Sequence, residues 1–210
     1  MTEILSSLLH AVVEIYNKGG VMMIPLGCCS VIMVIVIIER AWILRSSNFF
    51  PFQEIENLRR QAEASKDLHS LEPALNHAMG RILSYGLHVL PASSERFKEA
   101  IQDQARRELH YAERGLVMLE IIVGVAPLLG LLGTALGMIS VFANIAIEAP
   151  GRAEALSQGI AEALITTVLG LAIGIPALVA YTLFSRRVES LGLRIEQEML
   201  FFYHKLYPHE

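Results

Sequence analysis

Two threonines and a glutamate are the residues with usable chemistry in the most apolar parts of this sequence. Thr134 lies about midway along an apolar run over residues 126–142, and Thr167 lies about midway along a second run over residues 159–181. Glu162 is near the start of the second run. Polar groups in a hydrocarbon environment are costly unless they are paired or in contact with water or ions. These side chains therefore mark a candidate ion pathway.

Each of these residues also has a purely structural interpretation. A threonine in a membrane helix commonly bonds a main-chain carbonyl about one turn earlier. We favour a polar lining for Thr134 and Thr167, because both fall on stripes of small residues in consecutive apolar runs. For Glu162, an ion-pathway role and a simple position near the membrane surface both stay open, whereas Glu120 fits the surface position better.

Other chemistries lack the residues that they need. The seven histidines and both aspartates (Asp67 and Asp103) fall outside the apolar runs. An intramembrane protease needs Ser with His, or paired Asp, within the membrane, and a metal site needs clustered ligands. Adjacent Cys28 and Cys29 suit neither a structural disulfide nor a zinc site. We therefore expect no enzyme activity, no metal and no cofactor.

The composition indicates an integral membrane protein. Hydrophobic residues make up 53% of the chain and charged residues only 18%, with a mean hydropathy of +0.47, which is more apolar than usual for soluble domains. The net charge of −4 also argues against a nucleic-acid partner, since a basic surface is missing.

Small residues recur at helical spacing in both apolar runs. In lipid, such residues let two helix backbones approach closely. We therefore predict that five glycines are helix-packing positions: Gly130, Gly133, Gly137, Gly170 and Gly174.

These patterns predict an all-α integral membrane protein with three transmembrane helices, of which the second and third extend into the cytoplasm as long helices. After Pro91, either Ser93 or Ser94 is a good N-cap, and no strong breaker follows before Pro127, so one continuous helix is expected there. The predicted segments are a periplasmic interfacial helix (1–20), a first span (21–39) closed by Glu39 and Arg40, a cytoplasmic helical region (40–115), a second span (116–147), a periplasmic connector (148–158), a third span (159–184) and a cytoplasmic helical tail (185–210).

Basic residues predict the orientation. Eleven lysines and arginines lie between the first and second spans and four in the tail, against Lys18 alone before the first span and Arg152 alone in the connector. Because loops rich in Lys and Arg stay cytoplasmic, we expect a periplasmic N-terminus and a cytoplasmic C-terminus.

Three segments carry a family resemblance. They are APLLGLLGT followed by Gly137-Met138 in the second span, GIAEALITTVLGLAIGIPALVAY in the third, and KGGVMMIPLGCCSVIMVIVIIER around the first. In these segments the sequence resembles the MotA/TolQ/ExbB proton-channel family, most closely its ExbB branch and then its TolQ branch. It departs from the MotA branch, which has four spans, and it has Leu136 and Thr182 where the family usually has Trp and Asn.

The resemblance implies a homopentamer in a bacterial inner membrane. In that family the pentamer surrounds a dimer of an ExbD- or TolR-like single-span protein, which supplies an aspartate for proton transfer. By motif position, Thr134 and Thr167 match the pore-facing threonines. Glu162 matches the glutamate of the third span and, with Thr166, is expected at the partner interface or ion entrance. The transported ion would be H⁺, with Na⁺ as the alternative.

The resemblance also implies a function, and alternatives to it stay open. An ExbB-like subunit converts the proton motive force into mechanical work on envelope machinery, such as TonB-dependent transport with a TonB-like protein. A TolQ-like subunit or a gliding or flagellar-type stator subunit would use the same motifs. A non-conducting membrane scaffold would need only the small-residue packing.

Overall fold

The computed structural model describes residues 20–45, 55–57, 59–60, 77–89, 94–145 and 152–207. These residues are almost entirely helical and include no strand. The prediction of an all-α chain is therefore confirmed. The principal helices are α1 (Met23–Ile43), α2 (Ala78–Val89), α3 (Ser94–Ile145) and α4 (Arg152–Leu206).

Three of these helices are long and apolar enough to cross a membrane. α1, α3 and α4 each contain an 18-residue stretch with a mean hydropathy between 2.1 and 2.3. α3 has 52 residues and α4 has 55, so at about 1.5 Å per residue each is about 80 Å long. The hydrocarbon core is only about 30 Å thick, so both helices extend well beyond it, as predicted.

The ends of the long helices lie close together along the chain. α3 ends at Ile145, two residues before the predicted end of the second span, and α4 begins at Arg152, inside the segment predicted as a connector (148–158). Both helices also continue through an internal proline, Pro127 in α3 and Pro176 in α4. Proline has no N–H to donate, which frees the carbonyl four residues earlier, but membrane helices tolerate this.

The start of α1 is a turn at a glycine. Gly20 has a φ of 65°, in the left-handed region that glycine adopts without steric cost. The Met23 N–H donates to the Gly20 carbonyl at 3.1 Å. The predicted interfacial helix over residues 1–20 otherwise lies outside the described residues.

The chain divides into two compact units. The apolar unit comprises Met1–Ile37 with Met118–Tyr181, and the polar unit comprises Ile38–Val117 with Thr182–Glu210. In the apolar unit, α3 and α4 pack through small residues, while large side chains such as Leu128 and Val168 are more than 60% exposed. Such an apolar exterior fits contact with lipid or with other membrane helices.

The polar unit has a conventional side-chain core. Phe97, Ile101 and Ala112 form a buried stripe on α3, together with Ile82 of α2 and Ile195 of α4. α2 approaches α3 closely at Gly86, where an added Cβ would lie 2.7 Å from Ile101 Cγ1 and 3.0 Å from the Phe97 ring. Packing in this core stabilises the polar parts of α3 and α4, which would be only marginally stable as isolated helices.

Candidate ion pathway

The α3–α4 contact in the apolar unit is made by backbone against backbone. A Cβ added at Gly130 would lie 2.9 Å from the Thr166 carbonyl oxygen, and one added at Gly170 would lie 2.6 Å from the Ala126 carbonyl oxygen. Real Cβ contacts are never this short, and a main-chain atom cannot rotate away. The glycines are therefore needed for the two helices to approach this closely.

The remaining packing glycines also face the opposite helix, but an added Cβ there would first meet side-chain atoms. A Cβ at Gly137 would lie 2.9 Å from the Ala163 Cβ, and one at Gly174 would lie 2.9 Å from Pro127 Cγ. A Cβ at Gly133 would collide with the Thr166 side chain. All five glycines thus lie at the contact between α3 and α4.

Two adjacent threonines of α4 reach the same carbonyl of α3. The Thr167 hydroxyl donates to the Gly130 carbonyl at 3.1 Å. The Thr166 hydroxyl lies 2.7 Å from the Ala163 carbonyl of its own helix and 3.4 Å from the Gly130 carbonyl. Thr166 is 1% exposed, whereas Thr167 keeps part of its surface accessible. Only Thr167 therefore combines a contact between the helices with an exposed face.

Thr134 makes a local bond instead. Its hydroxyl donates to the Leu131 carbonyl at 2.6 Å, one turn earlier in α3, and its side chain is partly exposed. Within the described residues no hydrogen bond joins Thr134 to Thr167. The structure therefore places both hydroxyls on the α3–α4 pair but does not couple them directly.

The hydrogen bonds determine what the two hydroxyls can offer a ligand. A hydroxyl has one hydrogen to donate and two lone pairs that accept. Because Thr134 and Thr167 each donate to a main-chain carbonyl, their oxygens are left as acceptors. Acceptor oxygens suit a water molecule, a protonated carboxyl group or a hard cation such as Na⁺.

Glu162 lies on α4 one helical turn before Thr166, and its side chain is outside the part of the structure that can be described. Its neighbour Ala163 is 3% exposed and packs against Gly137. The backbone therefore places Glu162 next to the α3–α4 contact.

Within the described residues, no group of three or more His, Cys, Asp or Glu side chains is arranged to hold a metal ion.

Arg40 is a buried charge that the sequence interpretation treated only as the end of the first span. It is 5% exposed, and its Nη1 donates to the carbonyls of Tyr111 and Ala112 at 3.3 and 3.2 Å. A Cβ at Gly115 would collide with the guanidinium. The signal in the sequence was the position of Arg40, which continues the helical spacing of buried residues on α1.

A second buried charge lies in the polar unit. Glu108 is 7% exposed and accepts two hydrogen bonds from Arg81, at 2.8 and 2.5 Å, and one from Gln104 at 3.2 Å. The hydrogen bond to Glu108 raises the pKa of Arg81. Glu108 also lies on the buried stripe of its helix, so a charge on an apolar stripe was again the available signal.

A groove of about 680 Å³ lies in the polar unit between α3 and α4. Its walls are mainly apolar, including Ile101, Leu109 and Ile195, and charged residues of both signs, such as Lys98 and Glu196, also line it. Mixed charge of this kind does not select a ligand class. Thr134 and Thr167 therefore remain the stronger candidate site.

Comparison with known proteins identifies the family of this chain. The model of the MotA/TolQ/ExbB proton channel family matches residues 74–197, a range that includes all of α3 and most of α4. The match thus contains Thr134, Thr166 and Thr167.

Individual relatives carry related names. The chain is 36% identical to an ExbB-like biopolymer transport protein of Synechocystis, over 79% of this chain and 67% of the relative. It is 27% identical to the biopolymer transport protein exbB1 of Vibrio cholerae, over 89% of this chain and 84% of the relative. It is 36% identical to the Tol-Pal system protein TolQ of Pseudomonas aeruginosa, over 48% of this chain and 43% of the relative.

Proposed function

This chain belongs to the MotA/TolQ/ExbB proton channel family, and on that basis we propose that it is the multi-span subunit of an ion-driven motor in a bacterial inner membrane. With an ExbD- or TolR-like single-span partner, it converts the proton motive force into mechanical work. The names of its relatives point to biopolymer transport, and hence to envelope machinery such as TonB-dependent uptake with a TonB-like protein.

The observation that carries this proposal is the state of the Thr167 hydroxyl. It donates its hydrogen to the Gly130 carbonyl, and the Thr167 residue stays partly exposed, on the small-residue contact of two membrane helices. Thr134 supplies a second acceptor of the same kind on α3. A protonated carboxyl group passing these oxygens would find hydrogen-bond acceptors where hydrocarbon would otherwise surround it.

The chain needs a partner and further copies of itself for this task. Two helices can line only part of a channel, so a closed path requires several copies around an axis. We propose a homopentamer that surrounds a dimer of the single-span partner. The partner's carboxylate carries the proton, because the hydroxyls of Thr134 and Thr167 can accept hydrogen bonds but do not titrate near neutral pH.

We assign Glu162 to the ion entrance or partner interface. It lies on the same helix as Thr167, towards the end that the basic residues predict to be periplasmic. Thr166, which was predicted with it, is buried against Gly133, so we assign Thr166 to the packing of α3 against α4 and not to the partner interface. The chain itself is expected to need no cofactor, and H⁺ is the proposed ion with Na⁺ as the alternative.

The test is an ion-flux measurement on the reconstituted complex. The chain is co-purified with its single-span partner, counted by native mass spectrometry, and placed in vesicles that contain a pH-sensitive dye. The variant Thr134→Val/Thr167→Val keeps side-chain shape but removes both hydroxyls. We expect intact assembly and a proton flux reduced at least about tenfold, since a hydrogen bond to a charged or protonated group is worth roughly 1.5–3 kcal/mol.

Thr166→Val is the matched control. It removes a neighbouring hydroxyl that reaches the same carbonyl but is buried between the helices. We expect it to keep most of the flux. Full flux in the double variant would refute the pathway, whereas failure of the double variant to assemble would favour a scaffold. Repeating the measurement with a sodium gradient distinguishes the two ions.

A further inference from the structure

Arg40 lies where the packing surface of α1 would otherwise be apolar. The buried residues of α1 recur at helical spacing, and Arg40 falls between Val36 and Leu44 in that series. A charge at such a position is expensive to bury unless it is paired. Its burial therefore calls for a specific set of partners.

The partners are two main-chain carbonyls of α3 and the carboxylate of the neighbouring Glu39. Nη1 donates to the adjacent carbonyls of Tyr111 and Ala112, and Nη2 donates to Glu39 at 3.3 Å. The Nε atom has no hydrogen-bond partner, because it faces the Cα side of Gly115, where even a Cβ would overlap it. The guanidinium thus packs directly against Gly115.

The hydrogen bonds of Arg40 supply directional contacts, which apolar packing in a membrane does not provide. Lipid tails are as apolar as the side chains of α1, so little hydrophobic drive holds α1 at one height or rotation. A guanidinium that donates to two consecutive carbonyls is directional, and a slip of one residue would break both bonds. Buried polar groups that set helix register are known in coiled coils.

We propose that Arg40 is a positioning residue that sets the register of α1 against α3, and that this role requires glycine at position 115. The inference concerns the chain itself and does not depend on ion conduction. Gly124 of the same helix provides a matched control, because a Cβ there would meet nothing within 4 Å.

The experiment measures the distance between α1 and α3 in the full chain. Spin labels are attached at Ala41→Cys and Arg107→Cys, both exposed positions, with Cys28 and Cys29 replaced by serine. Labelled chains are diluted with unlabelled ones so that double electron–electron resonance reports only the distance within a chain. Helix content is followed in parallel by circular dichroism.

We expect Arg40→Met and Gly115→Ala to broaden the distance distribution, or shift it by steps of about 1.5 Å, without loss of helix. Gly124→Ala should leave it unchanged. Adding Gly115→Ala to Arg40→Ala should cause no further change in the distance distribution, because the guanidinium that the new Cβ would meet is then absent.

Two results would overturn the proposal. One is an unchanged distribution in Arg40→Met, and the other is an equal change in Gly115→Ala and Gly124→Ala. If Arg40→Met fails to accumulate, the comparison of the two glycine variants decides the question.

Discussion

At the scale of single residues, the informative positions are polar side chains on otherwise apolar helix stripes. Thr167, Arg40 and Glu108 all lie on such stripes, and each has defined partners. Thr167 and Arg40 donate to main-chain carbonyls, and Glu108 accepts two hydrogen bonds from Arg81, which offsets the cost of burial. Position on the stripe therefore separates these residues from the many charges that simply face solvent.

Glu198 is the exception, because only one of its two carboxylate oxygens has a partner. Its Oε1 lies 3.6 Å from Arg59 Nη1, and its Oε2 is buried without a hydrogen-bond partner. Burial raises the pKa of the Glu198 carboxyl, Arg59 lowers it to a smaller extent, and nearby Glu56 raises it further. The charged form is thus less favourable in the folded chain than in the unfolded one.

We therefore predict that Glu198→Gln stabilises the polar unit near neutral pH, by less than about 1 kcal/mol because the pair is partly solvated. A carboxyl whose folded pKa is raised contributes most stability at low pH and loses it as the pH rises through that pKa. The advantage of the Gln variant should accordingly vanish as the pH falls below the ordinary value of 4.5. Denaturant unfolding between pH 4 and pH 8 measures the free energy of unfolding of the original chain and of the Glu198→Gln variant. A variant that is less stable than the original chain at pH 7 would show that the ion pair with Arg59 dominates.

At the scale of elements, the α3–α4 pair depends on glycines that allow the two backbones to touch. Gly130 and Gly170 each face main-chain atoms of the other helix, so the contact cannot absorb an extra methyl group by side-chain rotation. The same close approach brings the Thr167 hydroxyl within reach of the Gly130 carbonyl. Helix spacing and the candidate ion pathway are therefore one structural feature.

Gly130→Ala tests this dependence. The new Cβ would lie 2.9 Å from the Thr166 carbonyl oxygen, so the helices must separate, at a cost of roughly 1–3 kcal/mol for an overpacked contact. We expect a lower unfolding temperature in detergent and loss of ion flux. Gly124→Ala on the same helix meets nothing within 4 Å and should be neutral. Similar behaviour of the two variants would mean that helix propensity, and not packing, controls the outcome.

At the scale of the whole molecule, two helices are shared between an apolar and a polar unit. α3 and α4 pass without interruption from one unit into the other. In the apolar unit large side chains such as Leu128, Ile139 and Leu164 are at least 60% exposed, which only lipid or further membrane helices can cover favourably. This surface fits a membrane location.

The orientation of the whole chain gives a further prediction. With Cys28 and Cys29 replaced by serine, a membrane-impermeant maleimide added outside spheroplasts should label Ser157→Cys near the start of α4 but not Glu95→Cys near the start of α3. Both positions are exposed, so accessibility depends on the side of the membrane. The split of basic residues, two against fifteen, is the physical reason. Labelling in the reverse pattern would invert the proposed topology, and lysed cells provide the control in which both cysteines react.

The sequence by itself determined the membrane character, the all-α class and the long second and third spans. These follow from local properties, namely the lengths of apolar runs, helical periodicity and the lack of breakers between Ser94 and Pro127. The small-residue spacing also placed Gly130, Gly133, Gly137, Gly170 and Gly174 on one face of each helix, where the structure has them in contact.

Only the tertiary structure decided which partner each polar group takes. Thr166 and Thr167 are neighbours in sequence, yet Thr166 is buried between α3 and α4 and Thr167 is partly exposed. Arg40 lies 71 residues from Tyr111 along the chain, and no local pattern specifies a bond over that separation. Such contacts depend on the relative rotation and height of packed helices, which periodicity leaves free and only the complete set of packing contacts determines.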